Sequence, residues 1–396
     1  MNLGSGIKVA KAILATPQIA LAKPSVIRFL CTYMRKFTLA DVGGNLFIHS
    51  HLPPLNSKAY ARFIREHLLA GSAGPSHAQI GITSACPQNC EYCYSKSRSG
   101  RDIDTETIKR TIRDLKSLGV FWLGLTGGEP LLNKDIAEIV ESAGDDCAVK
   151  LFTTGFSLTP QRARDLKNAG LVSVSVSLDH WREAEHDRIR RYPGAFTTAL
   201  TALETFRSVD GLHVGVSAVL SREMLERHQV EEFLEFLRSL GIHEAWLSEA
   251  KPAAAARVKE EPVISDEQHS ELVRLQDRYN RNGGMTVNYL GHFEDREHFG
   301  CSAGHKMVYV DARGDVSPCV FIPMTFGNVL ERPVRDICAS MSGRFPPRDC
   351  CFINRNYAIV REASGGAFPL GTGKSEQVMG TVGGAPPGKF FQLLYR

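Results

Sequence analysis

The chain contains the stretch Gln79-Ile-Gly-Ile82-Thr-Ser-Ala-Cys86-Pro-Gln-Asn-Cys90-Glu-Tyr-Cys93-Tyr94, an apolar run that leads into a loop with three cysteines. The spacing, C-x3-C-x2-C, brings the three thiolates close together. Such a set can bind three irons of a cubane iron–sulfur cluster and leave the fourth iron open to another ligand. The loop therefore indicates chemistry at an open iron and not only a structural role.

The alternative interpretation of this loop is a zinc knuckle or a set of buried thiols. Structural zinc takes four ligands, and no fourth Cys or His stands close to the loop in the sequence. The cysteines of the chain fall in two groups with single residues between them, unlike the dense framework of a small secreted protein. This pattern favours metal ligation in a reducing compartment, so we expect a cytoplasmic protein. The ten cysteines are Cys31, Cys86, Cys90, Cys93, Cys147, Cys301, Cys319, Cys338, Cys350 and Cys351.

The composition is that of an ordinary globular protein. Of the 396 residues, 43% are hydrophobic, which suffices for one large domain with an appendage or for two domains. The 47 basic and 43 acidic residues are too evenly balanced to indicate nucleic acid as a partner. No uncharged stretch approaches the ~18 residues that a membrane span needs. Pro17 and Lys23 interrupt the N-terminal apolar part, which argues against a signal peptide.

Residues 1–77 are predicted to form an N-terminal extension made of short basic amphipathic helices. The helical segments are residues 7–21, 25–37 and 58–69, in which apolar side chains alternate with lysines and arginines. We predict a helical cap packed on the main domain. Peripheral membrane contact through this basic N-terminus is the alternative.

From about residue 78 to residue 249, strand-like runs alternate with amphipathic helices. Gly119, Gly170 and Gly241 follow three of the helices, as C-terminal caps do, and Thr159-Pro160 begins one of them as an N-cap with a first-turn proline. Six β-then-α units in a row predict an α/β fold, with a parallel sheet curved into a partial (βα)6 barrel. The carboxyl ends of the strands are the expected functional edge. The predicted strands are residues 79–83, 120–125, 148–153, 172–178, 212–220 and 244–247.

A different region follows this core. Residues 266–282 are predicted to be a helix, and residues 307–310 and 316–321 a hairpin flanked by Cys301 and Cys319. Residues 363–388 are rich in Gly, Pro and Ser, and we expect a loose tail there. The predicted domains are an N-terminal extension (1–77), the core (78–290), a small cysteine-bearing domain (291–362) and the tail (363–396).

Polar residues follow the ends of the first four predicted strands. The cysteine loop follows the first strand, Gly127-Gly128-Glu129 the second, and Thr153-Thr154-Gly155 the third, while Ser177 and Asp179 end the fourth. The carboxyl ends of parallel strands meet at one edge, so we expect a single site. Each motif is weak alone, because Gly-Gly often forms a turn and an aspartate there is often an N-cap. Together, the glycines would admit a ligand to the backbone, and Glu129 would face an iron-chelated amino group.

In this combination the motifs resemble the radical S-adenosylmethionine (SAM) superfamily. The resemblance covers about residues 78–250 and rests on the cysteine loop, on Gly127-Gly128-Glu129-Pro130, on Ser177-Leu178-Asp179 and on the six β/α units. It implies a [4Fe–4S] cluster whose open iron is chelated by SAM. It also implies reductive cleavage of SAM to methionine and a 5′-deoxyadenosyl radical that abstracts a hydrogen from the substrate, with an electron donor such as flavodoxin or ferredoxin.

The same resemblance assigns roles to individual residues. No catalytic acid or base is tied to the site by motif, and Tyr94, His180 and Glu249 are candidates only by position near strand ends. Thr154 departs from the family, where an asparagine often precedes the glycine. The resemblance implies that Cys86, Cys90 and Cys93 ligate the cluster, that Tyr92 lies beside the adenine, that Gly127, Gly128 and Glu129 receive the methionine amino group, and that Ser177 and Asp179 lie near the ribose or the carboxylate.

A second cysteine pattern stands downstream of the core. Cys301, Gly314 and Cys319 form the arrangement C-x12-G-x4-C, and Cys350-Cys351 follows. This resembles the SPASM extension or its shorter relative, twitch, which hold auxiliary [4Fe–4S] clusters. Five cysteines occur after residue 300, fewer than in a full SPASM domain, and two auxiliary clusters would need about eight ligands. We therefore predict one auxiliary cluster, bound by Cys301, Cys319 and one or both of Cys350 and Cys351, with His305 or substrate as a further ligand. Cys31, Cys147 and Cys338 are predicted to be inert.

Taken together, the resemblances imply a radical SAM enzyme, an iron–sulfur oxidoreductase or transferase, that modifies a peptide or a small molecule. A lipid or apolar metabolite is the alternative substrate, favoured by the basic amphipathic N-terminus. A different class of hypothesis is a non-catalytic iron–sulfur or zinc-binding protein.

Overall fold

The computed structural model describes residues 16–96, 98, 100–252 and 264–395. The strands are β1 Ala40–Val42, β2 Asn45–Phe47, β3 His77–Gly81, β4 Trp122–Thr126, β5 Ala148–Thr153, β6 Leu171–Ser177, β7 His213–Leu220, β8 Glu244–Glu249, β9 Thr286–Tyr289, β10 Met307–Val310 and β11 Val316–Ser317. The α-helices are α1 Pro24–Met34, α2 Lys58–Phe63, α3 Thr105–Ser117, α4 Ile136–Glu141, α5 Pro160–Asn168, α6 Glu183–Arg190, α7 Ala195–Arg207, α8 Arg222–Glu226, α9 Val230–Ser239, α10 Asp266–Asn282, α11 Leu290–Phe293, α12 Val334–Ser342, α13 Phe352–Ser364, α14 Thr372–Thr381 and α15 Lys389–Tyr395. Two 3₁₀ turns, Pro17–Leu21 and Pro130–Leu132, and a π-helix, Ile64–Leu69, complete the described elements.

The predicted parallel sheet is confirmed. Strands β3 to β8 are neighbours in chain order and parallel, as the six predicted β/α units require. Each lies within about two residues of its predicted bounds, which is the usual uncertainty of strand ends. The prediction missed both extensions of the sheet: β9 adds parallel to β8, and β10 adds parallel to β3. The predicted hairpin is the antiparallel pair of β10 and β11, although its second strand is only two residues long.

The sheet is strongly curved. The ring of His51 lies 5.2 Å from Trp122 on β4 and 4.8 Å from Trp246 on β8. In a flat sheet, strands four places apart are separated by about 19 Å. One imidazole can therefore contact both tryptophans only because the sheet bends around it, as in a partial barrel whose edges β11 and β9 stay open.

Local capping signals determine where several helices begin. The Asp104 side chain accepts a hydrogen bond from the backbone N–H of Thr107 (2.8 Å) and caps α3. The Thr159 side chain accepts one from the backbone N–H of Arg162 (3.2 Å) and caps α5. Ser265 forms a full capping box at the start of α10. The predicted bounds of α10 are confirmed without change, because the cap and the following glycine are both local signals.

Residues 47–52, which we call the plug, close the amino end of the barrel. The backbone of Ser50 donates to Glu244 (2.8 Å) and accepts from the indole of Trp122 (2.8 Å). The carbonyl of His51 is hydrogen-bonded to the His77 ring (2.9 Å). The extension is thus anchored inside the core through its main chain and does not merely lie over it.

The helical prediction for the extension holds where the structure describes it. Residues 25–37 were predicted to be a helix and form α1, and residues 58–69 form α2 followed by the π-helix. Most of the first predicted helix, residues 7–15, lies outside the described residues. Among the residues that are described, no helix is both long and apolar enough to cross a bilayer.

The predicted loose tail is wrong. Residues 372–381 form α14, and residues 389–395 form α15, which packs against α1. Phe390 and Phe391 are buried in the cluster that also holds Val26 and Leu30. Glycine and proline enrichment measures local freedom, whereas these two phenylalanines are fixed by apolar burial against a helix more than 350 positions away.

The plug makes the stability of the fold sensitive to acid. Burial lowers the pKa of His49 from 6.5 to about 4, and the carboxylate of Glu244 offsets this only in part. Below pH 6.5 the unfolded chain therefore binds a proton that the folded chain does not, so stability falls as the pH falls from about 6.5 to about 4. We expect the loss in free energy of unfolding between pH 7.5 and pH 5.5 to be about 1.4 kcal/mol smaller in His49→Phe than in the unsubstituted chain. Denaturant unfolding at the two pH values measures this difference, and equal losses in both proteins would contradict it.

Candidate functional site

The predicted site residues converge on one cavity at the carboxyl edge of the sheet. This cavity has a volume of about 1080 Å³, and side chains from β3 to β8 and from the loops after them line it. Cys86, Cys90 and Cys93 all lie in its wall. Further residues named from the sequence line it as well, among them Tyr92, Gly127, Gly128, Thr154 and Ser177.

Gly127 and Gly128 hold the cysteine loop in place. The backbone N–H of Gly128 donates to the carbonyl of Thr83 (2.7 Å), and that of Glu129 donates to the carbonyl of Ala85 (2.7 Å). A Cβ on Gly127 would lie 2.3 Å from the Thr83 oxygen, and one on Gly128 would lie 2.1 Å from the Ala85 oxygen. The glycines are therefore required for the close approach of the chain's own loop, a reason that the sequence did not reveal.

The carboxylate of Glu129 ties β4 to the end of β5. It is fully buried and accepts hydrogen bonds from the hydroxyl of Thr153 (2.6 Å), from the backbone and hydroxyl of Thr154 (2.6 Å each) and from the backbone of Leu131 (2.9 Å). Burial nevertheless raises the pKa of Glu129. Glu129 does not line the cavity, but its backbone N–H binds the loop at Ala85, and its carboxylate is close enough to Cys86 to contribute to the raised pKa of that thiol.

Asp179 forms an ion pair with Arg190, and Arg190 in turn approaches the cysteine loop. The sequence analysis missed Arg190. The Asp179 carboxylate, 0% exposed, lies 2.7 Å from the Arg190 Nε and accepts a 2.5 Å hydrogen bond from the Tyr92 hydroxyl. The guanidinium in turn donates toward the Cys90 sulfur (3.8 Å) and lies over the Tyr92 ring. Arg190 thus brings a positive charge to the cysteine loop, and charges and hydrogen bonds at cluster sulfurs tune the cluster. No local motif marks it, because it reaches the loop from the far end of α6.

The remaining strand-end candidates separate into two groups. Tyr94 lines the cavity and shares a 2.6 Å hydrogen bond with Thr126, and Glu249 lines it from the end of β8. His180 does not, because its ring stacks on Trp181 at 4.1 Å. Ser217 on β7 and Ser248 on β8 also line the cavity and add hydroxyls that the sequence analysis did not identify.

Burial favours the protonated thiols of Cys86 and Cys90 when no metal is bound. It raises the pKa of Cys86 to about 11, and it also raises the pKa of Cys90 although Arg190 opposes the shift. Metal ligation requires thiolates, so loading the site releases protons. A cubane cluster spreads its ligands over separate irons, which suits three thiols that lie in one cavity wall together with hydroxyl groups.

A second group of cysteines comes from the region after β9. Cys301, Cys319 and Cys351 raise one another's pKa, and the nearby carboxylate of Glu294 acts on all three. Burial is the main cause and raises the pKa of Cys301 and Cys319 to about 12 each. Lys251 joins the two sites, since its ammonium lies 2.7 Å from Glu249 and 2.8 Å from Glu294.

The structure distinguishes between the two adjacent cysteines. Cys351 begins α13 and belongs to the second group, whereas the charges around Cys350 are Arg355, Asp349 and Arg348. His305, a further ligand candidate, is instead hydrogen-bonded to the hydroxyl of Tyr395 (2.5 Å). Cys147 and Cys338 are buried in the apolar core, in line with the inert role predicted for them.

Family models match both halves of this arrangement. The radical SAM superfamily matches residues 80–241, and an iron–sulfur cluster-binding domain, SPASM, matches residues 301–357. The chain belongs to the radical SAM superfamily and carries a SPASM domain. The radical SAM domain implies a [4Fe–4S] cluster with SAM, and the SPASM domain implies auxiliary iron–sulfur clusters.

Individual relatives agree with this class. The chain is 28% identical to an AdoMet-dependent heme synthase of Methanosarcina barkeri over 292 residues, 68% of this chain and 84% of that protein. It is 32% identical to a PqqA peptide cyclase of Bradyrhizobium diazoefficiens over 165 residues, 41% of this chain and 43% of that protein. Among solved structures, Streptococcus suis SuiB bound to its precursor peptide SuiA superposes with a TM-score of 0.59 at 16% identity, over 74% of this chain and 76% of that one. This last likeness concerns the fold alone.

Proposed function

We propose that the chain is an enzyme that reductively cleaves SAM and abstracts a hydrogen from an organic substrate. The observation that carries this proposal is the shared cavity, whose wall holds Cys86, Cys90 and Cys93 together with Ser177, Ser217 and Ser248 from three neighbouring strands. When bound, the cluster and SAM supply a 5′-deoxyadenosyl radical. The side chains and backbone groups that surround the cluster and SAM would be those that line this cavity.

The chain's residues bind, orient and shield in this proposal. Cys86, Cys90 and Cys93 would hold the cluster, with Arg190 as the neighbouring positive charge. Hydroxyls at the strand ends suit the polar groups of SAM, and backbone groups of Gly127 and Gly128 lie beside them. Phe152, Trp246 and Phe321 form an aromatic floor that excludes water, which a radical reaction needs.

Known relatives support two substrate classes. The PqqA peptide cyclase acts on a peptide, which supports a peptide substrate for this chain, and the heme synthase supports a small molecule. The cysteines Cys301, Cys319 and Cys351 would hold an auxiliary cluster, with the carboxylate of Glu294 near them. A ferredoxin or flavodoxin would supply the electrons.

The test is anaerobic reconstitution with iron and sulfide followed by addition of SAM and dithionite. We expect 5′-deoxyadenosine and methionine in equal amounts, measured by liquid chromatography and mass spectrometry, because cleavage of SAM yields one of each. Iron and zinc are determined in the same preparation. A chain that retains zinc, binds no iron and forms no 5′-deoxyadenosine would instead be a non-catalytic zinc protein.

A further inference from the structure

Two further cavities follow the active-site cavity, each adjoining the next through shared wall residues. The middle cavity, of about 800 Å³, lies between the active site and the plug, and the far cavity, of about 650 Å³, lies beyond it toward the terminal helices. The three are consecutive because neighbours share walls. The active-site and middle cavities share Gln79, Trp246, Val320 and Phe321, and the middle and far cavities share His49, His51, His77, Phe293 and Ser302. We call the middle and far cavities together the interior channel.

The channel is predominantly apolar. Phe293, Phe299, Phe390 and Phe391 supply most of the far wall, and Leu290, Met307 and Val320 contribute to the middle one. The one ammonium in the far wall, that of Lys306, is already bonded to the carbonyls of Ser72 and Gly74. A peptide main chain in this space would leave many of its N–H and C=O groups unpaired, at a cost of about 1–3 kcal/mol for each one. An aliphatic chain has no such groups.

Two imidazoles in the wall that the middle and far cavities share have ring nitrogens without hydrogen-bond partners among the described residues. His49 is 2% exposed, and neither of its ring nitrogens has a hydrogen-bond partner among the described residues. The Nδ1 of His51, in the shared wall next to it, is likewise unpaired within that part of the chain. Because burial favours the neutral form of His49, its ring can accept one hydrogen bond and donate one. A ligand hydroxyl, which both donates and accepts, can pair one ring nitrogen of His49 and the Nδ1 of His51.

We propose that the interior channel binds the apolar part of the substrate, and that this substrate is a small molecule with an elongated hydrocarbon chain and an oxygen-bearing group at His49 and His51. The channel leads from the cysteine-lined cavity past Cys301 and Cys319, so a carbon of such a chain would lie between the two cysteine groups. The assignment of this ligand as substrate rests on the proposed function, whereas its binding does not.

Binding is tested with 11-(dansylamino)undecanoic acid as the fluorescent probe and a series of 1-alkanols from octanol to dodecanol as competitors. We expect one saturable probe site per chain, and competitor affinities that rise about fourfold with each added methylene, the factor that corresponds to ~0.8 kcal/mol per buried CH₂. Alkanols that fail to displace the probe, or that displace it without dependence on chain length, would overturn the proposal.

Two substitutions, one in the wall shared by the two cavities and one in the far cavity, test whether the probe binds in the channel. Ser302 lies in the wall between the two cavities, and its main-chain carbonyl accepts the hydrogen bonds of the following turn, so Ser302→Phe adds bulk at the narrow point without removing them. Leu52→Trp fills the far cavity away from the cysteines. Each is expected to weaken probe binding at least tenfold, while Ser239→Phe, on the exposed face of α9, leaves it unchanged. Equal affinities in all four proteins would place the probe elsewhere and overturn the proposal.

The unsubstituted protein separates this proposal from the proposed function. Probe binding and SAM cleavage are measured on the same reconstituted preparation. Cleavage of SAM without probe binding overturns the channel proposal and leaves the proposed function standing. Probe binding without cleavage of SAM supports the channel as a binding site but overturns its assignment to a radical substrate.

Discussion

Replacement of Cys90 by alanine is expected to abolish formation of 5′-deoxyadenosine from SAM. Cys90 is the most enclosed thiol of the loop, 8% exposed, and it is the one that the Arg190 guanidinium approaches. Without it, two thiolates would remain to hold a cubane cluster that needs three. Changes in the outer shell of a metal site cost up to about 100-fold in affinity or activity, so the loss of a direct ligand should exceed that factor. The measurement is 5′-deoxyadenosine in the presence of SAM and dithionite.

Cys147→Ala is the matched control for this experiment. Cys147 is also buried, 3% exposed, but it packs in the apolar core and not in the cavity wall. We expect it to retain SAM cleavage and iron, with a modest loss of stability from the vacated volume. Persistent turnover in Cys90→Ala, with Cys147→Ala unaffected, would contradict the role assigned to the cysteine loop.

The second large effect concerns the adjacent cysteines of the SPASM domain. Cys351→Ala should lower the iron content from about eight to about four per chain, because it removes a thiol from the auxiliary group while the loop cluster remains. Cys350→Ala should keep about eight, since the surroundings of Cys350 are Arg355 and Asp349 and not the other thiols. The two residues are neighbours in sequence, so their substitutions are chemically matched.

Iron and sulfide analysis after anaerobic reconstitution measures this pair. Electron paramagnetic resonance of the dithionite-reduced samples provides an independent count of cluster types. SAM cleavage serves as the control for the loop cluster in both variants. The reverse result, with iron lost from Cys350→Ala and kept in Cys351→Ala, would show that the auxiliary group uses the other cysteine.

Local patterns in the sequence were sufficient for most of the fold. The alternation of apolar runs with capped amphipathic helices located β3 to β8 and α10, because strand and helix periodicity are properties of consecutive residues. The C-x3-C-x2-C spacing and the position of each polar motif after a strand identified the cavity in the same way. The edge strand β9 was missed because its four residues are too short for a periodic signal.

Contacts between distant segments could not be predicted in this way. Glu129 lies beside the site, but its carboxylate accepts hydrogen bonds from the hydroxyls of Thr153 and Thr154. Arg190 reaches Cys90 from α6, 100 positions along the chain. The buried helix α15 was taken for part of a loose tail, because its partner α1 lies at the other end of the sequence.

The cysteine loop illustrates both what local sequence patterns predict and what contacts between distant segments add. The cysteine spacing alone predicts that three thiols lie close together after a strand and that a second cysteine set follows, because spacing limits how far apart neighbouring residues can lie. The groups that surround those thiols come from the folded chain: Arg190 beside Cys90, Cys351 and not Cys350 beside Cys301, and a plug from residues 47–52 beneath the aromatic floor. The physical reason is that burial and charge at the site are set by side chains that the curved sheet brings together from segments far apart in the chain.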